Sequence, residues 1–394
     1  MDPFSLKQNL KNFLKNIRVD SMPQTKIAED AVYPKSFHDL VREVHEKGLC
    51  GFCGGCVSFC SAANLKAIEI QPNAPPKYVN EEACLKCGIC YLICPEVDVL
   101  NEELNARYNY KEPIGQVDNV YSAQATDNDL RRVATDGGVV TALLEVMLEE
   151  NLIDGALVCK NVGSFKRVPF LARTKEDLHA AAGTHLDMVG QVPELGLFNT
   201  FVPIVPELRK IVDRDLQKIA IVGVPCQVHA LRKMQELKII PAHIVKYILG
   251  LFCWENFNFD TRTQRQMEQK FRFLFSDIDK INIKDDFILS FKGKESIHID
   301  LPELEKYMRP ACSACKDFSN VYADISFGGL GSNDGYTTVL VRNEKGKELY
   351  NLAQHRGLIQ NPPNINTAVQ KSKMMAKIIG FSDQKRQRAS SRRK

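Results

Sequence analysis

Cys50-Gly51-Phe52-Cys53-Gly54-Gly55-Cys56-Val57-Ser58-Phe59-Cys60 and, after a spacer, Cys84-Leu85-Lys86-Cys87-Gly88-Ile89-Cys90-Tyr91-Leu92-Ile93-Cys94-Pro95 decide how the front of this chain folds. Each half reads C-x2-C-x2-C-x3-C, the spacing with which a short loop wraps three thiolates around one iron-sulfur cube and sends a fourth to its neighbour. The spacing therefore predicts two 4Fe-4S clusters. By that crossed rule Cys50, Cys53 and Cys56 join Cys94 on one, while Cys84, Cys87 and Cys90 join Cys60 on the other. Gly51, Gly54 and Gly88 fit, because backbone curled closely around sulfide leaves little room for a Cβ. Structural zinc is the alternative, but zinc motifs come as separated C-x2-C pairs rather than four cysteines in so short a run, twice. Pro95 follows Cys94 as a bacterial ferredoxin run expects, whereas Ser61 follows Cys60.

Working outward, 394 residues with 44% apolar content are enough for two or three domains with buried cores. No apolar stretch approaches the roughly 18 residues of a membrane span. Thirteen cysteines without a signal-like apolar leader point to a reducing compartment, hence cytoplasm. The net charge of +4 sits at the ends. Gln384 to Lys394 carries Lys385, Arg386, Arg388, Arg392, Arg393 and Lys394 without an acid, and Met1 to Ser21 is also basic. The body between is acidic, which excludes a basic nucleic-acid-binding body.

In chain order, Ser5 to Arg18 places Leu6, Leu10, Phe13, Leu14 and Ile17 on one helical face. That basic amphipathic segment suits either a membrane surface or packing on its own domain. A linker is expected from Met22 to Pro34, then a helix from Phe37 to Lys47. Beyond about Tyr110 the pattern becomes βα-like. Asp136-Gly137-Gly138-Val139-Val140-Thr141 opens an apolar helix, a place where backbone N–H groups can approach a phosphate. Strands are expected at Ile153 to Val158, Lys218 to Val222 and Val245 to Leu251, with alternating stretches from Ile278 to Ile299. Setting aside Cys159, which reads as a small buried hydrophobe, Cys226, Cys253 and the pair Cys312 and Cys315 leave four thiolates from three loops. An iron-sulfur cluster, a four-cysteine zinc site and a redox C-x2-C all fit that count.

Several motifs together resemble the beta subunits of coenzyme F420-reducing hydrogenase and of F420-linked formate dehydrogenase. They are Asp136 to Thr141, Ala181 to Thr184, Val222 to Gln227, Gly250 to Phe257, Cys312 to Phe318 and Ala323 to Gly329. With the two-cluster segment in front, the chain is most similar to the input subunits of archaeal F420H2 dehydrogenases. The resemblance implies FAD, three 4Fe-4S clusters in all, and reversible hydride exchange with coenzyme F420 as substrate. It implies that Cys226, Cys253, Cys312 and Cys315 hold the third cluster. It also implies that Asp136, Gly137, Gly138, Val139, Val140 and Thr141, with Gly183, Thr184 and His185, bind the flavin. Gly329, Gly331 and Ser332 are a further candidate. Where relatives carry Lys-Tyr after the Gly-Thr, this chain has His185-Leu186. A deazaflavin moves electrons as hydride pairs and cubanes take them singly, so a flavin must stand between, and no catalytic side chain is expected.

The expected fold is mixed α/β, in the α+β sense: a ferredoxin-like two-cluster domain followed by a two-lobed flavin and iron-sulfur body. The expected divisions are 1–36 (amphipathic helix and linker), 37–112 (two-cluster domain), 113–205 (FAD-binding lobe), 206–380 (lobe with the third cluster) and 381–394 (a basic disordered tail). The expected partner is an electron-accepting redox complex: a membrane-bound dehydrogenase, or a hydrogenase, formate dehydrogenase or heterodisulfide reductase module. Peripheral contact at the cytoplasmic membrane face is compatible with the basic ends. Competing expectations are a ferredoxin-dependent reductase of the chlorophyll-pathway type and a non-catalytic electron-transfer subunit.

Overall fold

The computed structural model describes residues 35–71, 74–163, 166–183, 197–199, 202–212, 214, 216–362 and 365–393. The expected N-terminal helix and linker, and the candidate flavin residues Thr184 and His185, lie outside the described residues.

The short apolar runs become an eight-stranded sheet. Its strands are β1 (Asn119–Ala125), β2 (Gly155–Gly163), β3 (Lys166–Ala172), β4 (Ile219–Gly223), β5 (Val245–Leu251), β6 (Ile325–Gly328), β7 (Thr337–Val341) and β8 (Ile359–Gln360). Their spatial order is β8-β1-β7-β6-β5-β4-β2-β3. The neighbours β2/β4, β4/β5 and β5/β6 pair parallel, and the remaining neighbours antiparallel. β1, β2, β4, β5 and β6 therefore all end at one edge, where open α/β sheets bind ligands.

Both faces of the sheet are covered, which is why its central strands are apolar throughout instead of alternating. Ala220 and Leu249 face a core with α1 (Val139–Glu149) and α3 (Glu344–His355), while Ile219, Ile221 and Ile248 face the opposite core with α2 (Pro225–Glu236). The alternation follows from the two-residue period of a strand.

Two expectations about organisation are corrected. The 113–205 and 206–380 stretches are not separate lobes, because β1, from the first, lies between β7 and β8 of the second in one sheet. Residues 37–112 share a core with that sheet as well. Phe59, Ile89, Ile93, Leu100 and Leu104 pack with Ile221, Val228 and Leu231, and Ser58 Oγ donates to Val205 O at 2.9 Å.

The third correction concerns the tail, expected to be disordered for its charge. Helix α4 spans Ala368–Arg393. Met374, Ile378, Ser382, Lys385 and Ala389 form its buried ridge at three- and four-residue spacing, the geometry of one helix face. Its cations find partners on the body: Lys371 Nζ donates to Asn119 Oδ1 at 2.7 Å, and Arg388 Nη1 to Glu255 Oε2 at 2.7 Å.

A buried ion pair fixes β5, β6 and α2 to one another. Asp324 accepts from Arg232 Nη2 at 2.8 Å, from Ile248 N at 2.8 Å and from Asn343 Nδ2 at 2.9 Å. Removing one member strands the other charge in the interior. We expect Asp324→Ala to lower unfolding stability by about 3–5 kcal/mol, read from anaerobic chemical denaturation. A loss below about 1 kcal/mol would place the pair in the weak class of surface bridges.

Candidate functional site

The C-x2-C-x2-C-x3-C loops curl as their glycines demand. Gly54 (φ +77) and Gly88 (φ +79) are left-handed caps of the helices Gly55–Ala62 and Ile89–Leu92. The thiols of Cys50, Cys53, Cys56 and Cys94 lie close enough for their charges to interact, and so do those of Cys60, Cys84, Cys87 and Cys90. Cys56 also interacts with Cys90, so the two groups adjoin.

The remaining four thiols also meet. Cys226 follows β4 and Cys253 follows β5 at the shared sheet edge, and their charges interact with each other and with Cys312 and Cys315. The three groups stand in series, since Cys226 also faces Cys53, and Cys56 faces Cys90. A Cβ on Gly51 would sit 3.7 Å from Cys226 Sγ. Cys159, on β2, is partly buried against the core that contains Ile219 and Ile221.

These thiols are partly accessible but crowded by protein. Burial first, then neighbouring thiols, pushes Cys53 up to about 12; burial likewise pushes Cys50, Cys94 and Cys253 up to about 12. Protein alone does not stabilise them as thiolates, so ligation requires compensating positive charge. N–H groups already aim at sulfur: Ala67 N donates to Cys60 Sγ at 3.4 Å, Asn256 N to Cys312 Sγ at 3.4 Å, and Asn256 Nδ2 to Cys253 Sγ at 3.6 Å. Among the described residues no three His, Cys, Asp or Glu side chains form a group that could hold a single metal ion. A four-iron cube is larger than one ion and takes its ligands further apart, so the donor set and its surroundings fit iron-sulfur.

Cations that no sequence motif announced surround these groups. Lys233, fully buried, donates to Cys94 O at 2.9 Å. Arg309 Nη2 donates to Gly51 O at 3.1 Å, and Lys385 Nζ to Cys253 O at 2.6 Å. Orphaned polar atoms also gather beside Cys253: Trp254 Nε1, Glu255 Oε1, Ser382 Oγ and Arg388 Nε are buried without a hydrogen-bond partner.

The glycine-rich loops form a second wall at the same sheet edge. Gly138 (φ +74) caps α1, whose first turn, from Val139 to Thr141, has no side-chain cap. Gly137 N donates to Thr337 Oγ1 at 3.0 Å, and a Cβ on Gly137 would fall 2.6 Å from Ala123 O. A Cβ on Gly329 would fall 2.9 Å from Asp136 Oδ2, so the two loops touch. Ser332 Oγ lies 2.7 Å from Thr338 Oγ1, and Gly331 (φ +97) packs near Met374. Gly183 (φ +106) follows the helix Lys175–Ala180, which is tied to α1 through His179 and Glu145 at 2.5 Å.

Sequence reading missed the polar face opposite this wall. Lys280 donates to Ala134 O at 2.5 Å, Asn282 Nδ2 to Asp136 Oδ1 at 3.1 Å, and Lys284 lies 3.7 Å from Asp136 and 2.7 Å from Asp334. The signal was present: these polar residues alternate with Ile281 and Ile283, so they share one face of a strand. Burial pushes the Asp136 carboxyl above its ordinary range, against the pull of Lys284.

Fold and sheet-edge site define a mixed α/β protein with cysteine-rich and glycine-rich loops gathered at one sheet edge. Residues 120–193 match the family described as coenzyme F420 hydrogenase/dehydrogenase, beta subunit N-term, and residues 216–365 match its C terminus counterpart. The chain belongs to the coenzyme F420 hydrogenase/dehydrogenase beta-subunit family. It is 31% identical over 255 residues to the coenzyme F420 hydrogenase subunit beta of Methanothermobacter thermautotrophicus, covering 64% of this chain and 86% of that one. It is 29% identical over 333 residues to a subunit of the F420H2 dehydrogenase of Methanosarcina mazei, covering 82% and 87%. It is 30% identical over 332 residues to the coenzyme F420-dependent sulfite reductase of Methanocaldococcus jannaschii, covering 80% of this chain and 47% of that protein's length. A solved chain of the F420-reducing NiFe hydrogenase complex from Methanosarcina barkeri aligns with a TM-score of 0.58 at 27% identity, covering 70% of this chain and 92% of that one.

The Lys284–Asp136 pair gives a pH-dependent test. Losing Lys284 leaves a mostly buried carboxylate without its nearest cation. Asp136 has a raised folded pKa, so its burial costs stability that builds up as pH rises from the unfolded-state pKa to the folded one and is absent below the unfolded-state value. Lys284→Met should therefore be less stable at pH 7 by about 2 kcal/mol, between exposed and buried pairs. The deficit should shrink as pH falls and vanish when Asp136→Asn is added, measured by denaturation in a double-mutant cycle. A deficit independent of pH would assign the loss to packing.

Proposed function

We propose that this chain oxidises reduced coenzyme F420 by hydride transfer to bound FAD and passes single electrons through three 4Fe-4S clusters to a partner redox complex, reversibly in principle. The observation that carries this reading is the serial proximity of the three thiol groups, linked through Cys226 and Cys53 and through Cys56 and Cys90, the first sharing its sheet edge with the Asp136 and Gly329 loops. Cys226, Cys253, Cys312 and Cys315 would hold the cluster nearest the flavin. Cys50, Cys53, Cys56 and Cys94 would hold the middle one, and Cys60, Cys84, Cys87 and Cys90 the one nearest the partner.

FAD, when bound, supplies the exchange between hydride pairs and single electrons. The open first turn of α1 would take a flavin phosphate on its N–H groups, with the helix dipole favouring the charge. Gly137 and Gly138 keep that turn flush with β1, while Lys280 and Lys284 bring positive charge to its rim. No side-chain acid or nucleophile is required. Residues 37–112 would act as the ferredoxin-type exit. The partner would be a dehydrogenase, hydrogenase, formate dehydrogenase or heterodisulfide reductase module, met in the cytoplasm or at the membrane face.

Anaerobically purified protein should contain FAD, iron and sulfide, and F420H2 should bleach the flavin band. Reduction by ferredoxin but not by F420H2 would overturn the reading in favour of a ferredoxin-driven reductase. In Cys84→Ser, stopped-flow flavin reduction should keep the wild-type rate while transfer to the partner slows. Loss of both steps together in folded, FAD-loaded protein would break the proposed order.

Gly138→Val should lose flavin and keep the thiol-held iron of residues 50–94. A β-branched residue at φ +74 costs about 1–2 kcal/mol, equal to roughly tenfold weaker retention if the turn relaxes. Full FAD content in this variant would move the site elsewhere.

A further inference from the structure

Helix α4 lies beyond the residues 216–365 that match the family's C-terminal part. It nevertheless crosses both halves of the site. Near its start Met374 packs against Gly331, with its sulfur 3.9 Å from Ser332 Oγ. Near its end Lys385, only 1% exposed, sits at a position where helix periodicity calls for an apolar residue.

A lysine this deep needs a reason. Its ammonium donates to Cys253 O at 2.6 Å and to Asp317 O at 2.8 Å, both neutral carbonyls. The Asp317 carboxylate is taken up by the N–H groups of Asn320 at 2.8 Å and Val321 at 3.1 Å. Desolvating an ammonium costs several kcal/mol unless a negative charge offsets it. The ammonium sits on the backbone of two of the site's cysteine loops, at Cys253 itself and two residues beyond Cys315. Around it the helix is locked: Arg388 pairs with Glu255 at 2.7 Å, its guanidinium lies 4.8 Å over the Trp254 ring, and Phe381 packs edge-on to Trp254 at 5.3 Å.

We propose that α4 is a lid over the Cys226/Cys253/Cys312/Cys315 centre and that Lys385 is a positioning residue whose fixed charge raises the reduction potential of that centre. The inference rests on those four cysteines holding an iron-sulfur cluster. Reduction adds one negative charge to such a cluster, and a cation held beside it in a dry site favours the reduced state; net charge and hydrogen bonding are among the factors that set these potentials. Lys385 would thereby draw electrons from the flavin side toward the exit.

The test is an EPR-monitored redox titration of wild-type, Lys385→Met and Lys385→Arg proteins, with iron and sulfide content measured in parallel. Lys385→Met keeps the length of the side chain and removes the charge. One signal should move to more negative potential while the other two stay in place, and Lys385→Arg should restore it. An unchanged midpoint in fully loaded Lys385→Met overturns the proposal, as does an equal shift of all signals. If Lys385→Met loses the third signal but Lys385→Arg keeps it, the requirement for charge is upheld. Loss in both makes the role steric and overturns it. A wild-type protein with only two clusters would instead refute the assignment of the four cysteines.

Discussion

One side chain holds the site's three cysteine loops in register. Asn320 is fully buried in the left-handed region at φ +66, and its amide donates to Gly223 O at 2.8 Å and Leu251 O at 3.2 Å. Those carbonyls end β4 and β5, a few residues before Cys226 and Cys253. Its own N–H donates to Asp317, two residues beyond Cys315. Asparagine suits the position because it tolerates the left-handed conformation and offers two side-chain donors. The fit is close enough to dictate its neighbour: a Cβ on Gly250 would fall 2.5 Å from Asn320 Cγ. Parallel strand direction brings the loop ends to one edge, and this amide sets their separation.

What the sequence disclosed follows from the range of the interactions involved. The cysteine loops and the cap at Gly138 are local devices, so spacing and glycine placement announce them. The β4-α2-β5 unit was legible because both strands are covered on two faces and read as continuous apolar runs. The single sheet was not, because β1 pairs with β7 and β8 more than two hundred residues later, as in Ala123 opposite Thr337. No periodicity within either segment encodes that partnership.

The C-terminal helix was misread for a different reason. Six cations without an acid suggest a solvated tail, and lysine is almost never fully buried unless paired. The partners of Lys385, Arg386 and Arg388 come from Cys253, Tyr110 and Glu255, far away in sequence. The apolar ridge that docks the helix is thin, and Lys385 interrupts it. Only the assembled surroundings, with buried thiols and outward-facing carbonyls, turn that interruption into an attachment.

The same cations that offset charge also fix geometry. Lys233 grips Cys94 O, Arg309 grips Gly51 O and Lys385 grips Cys253 O, so each holds the backbone at or next to a proposed ligand. Lys233 belongs to α2, the helix that Cys226 opens, and it reaches into the 37–112 segment. Ala230 of the same helix meets Gly55 so closely that a Cβ there would lie 3.0 Å away. The cysteine segment is thus bonded into the sheet's core instead of tethered beside it. A tethered carrier would have to swing to exchange electrons, and its rate would depend on that motion. With Cys53 and Cys226 held in one packed interior, the spacing between the proposed centres is set by folding, and transfer through them needs no domain movement.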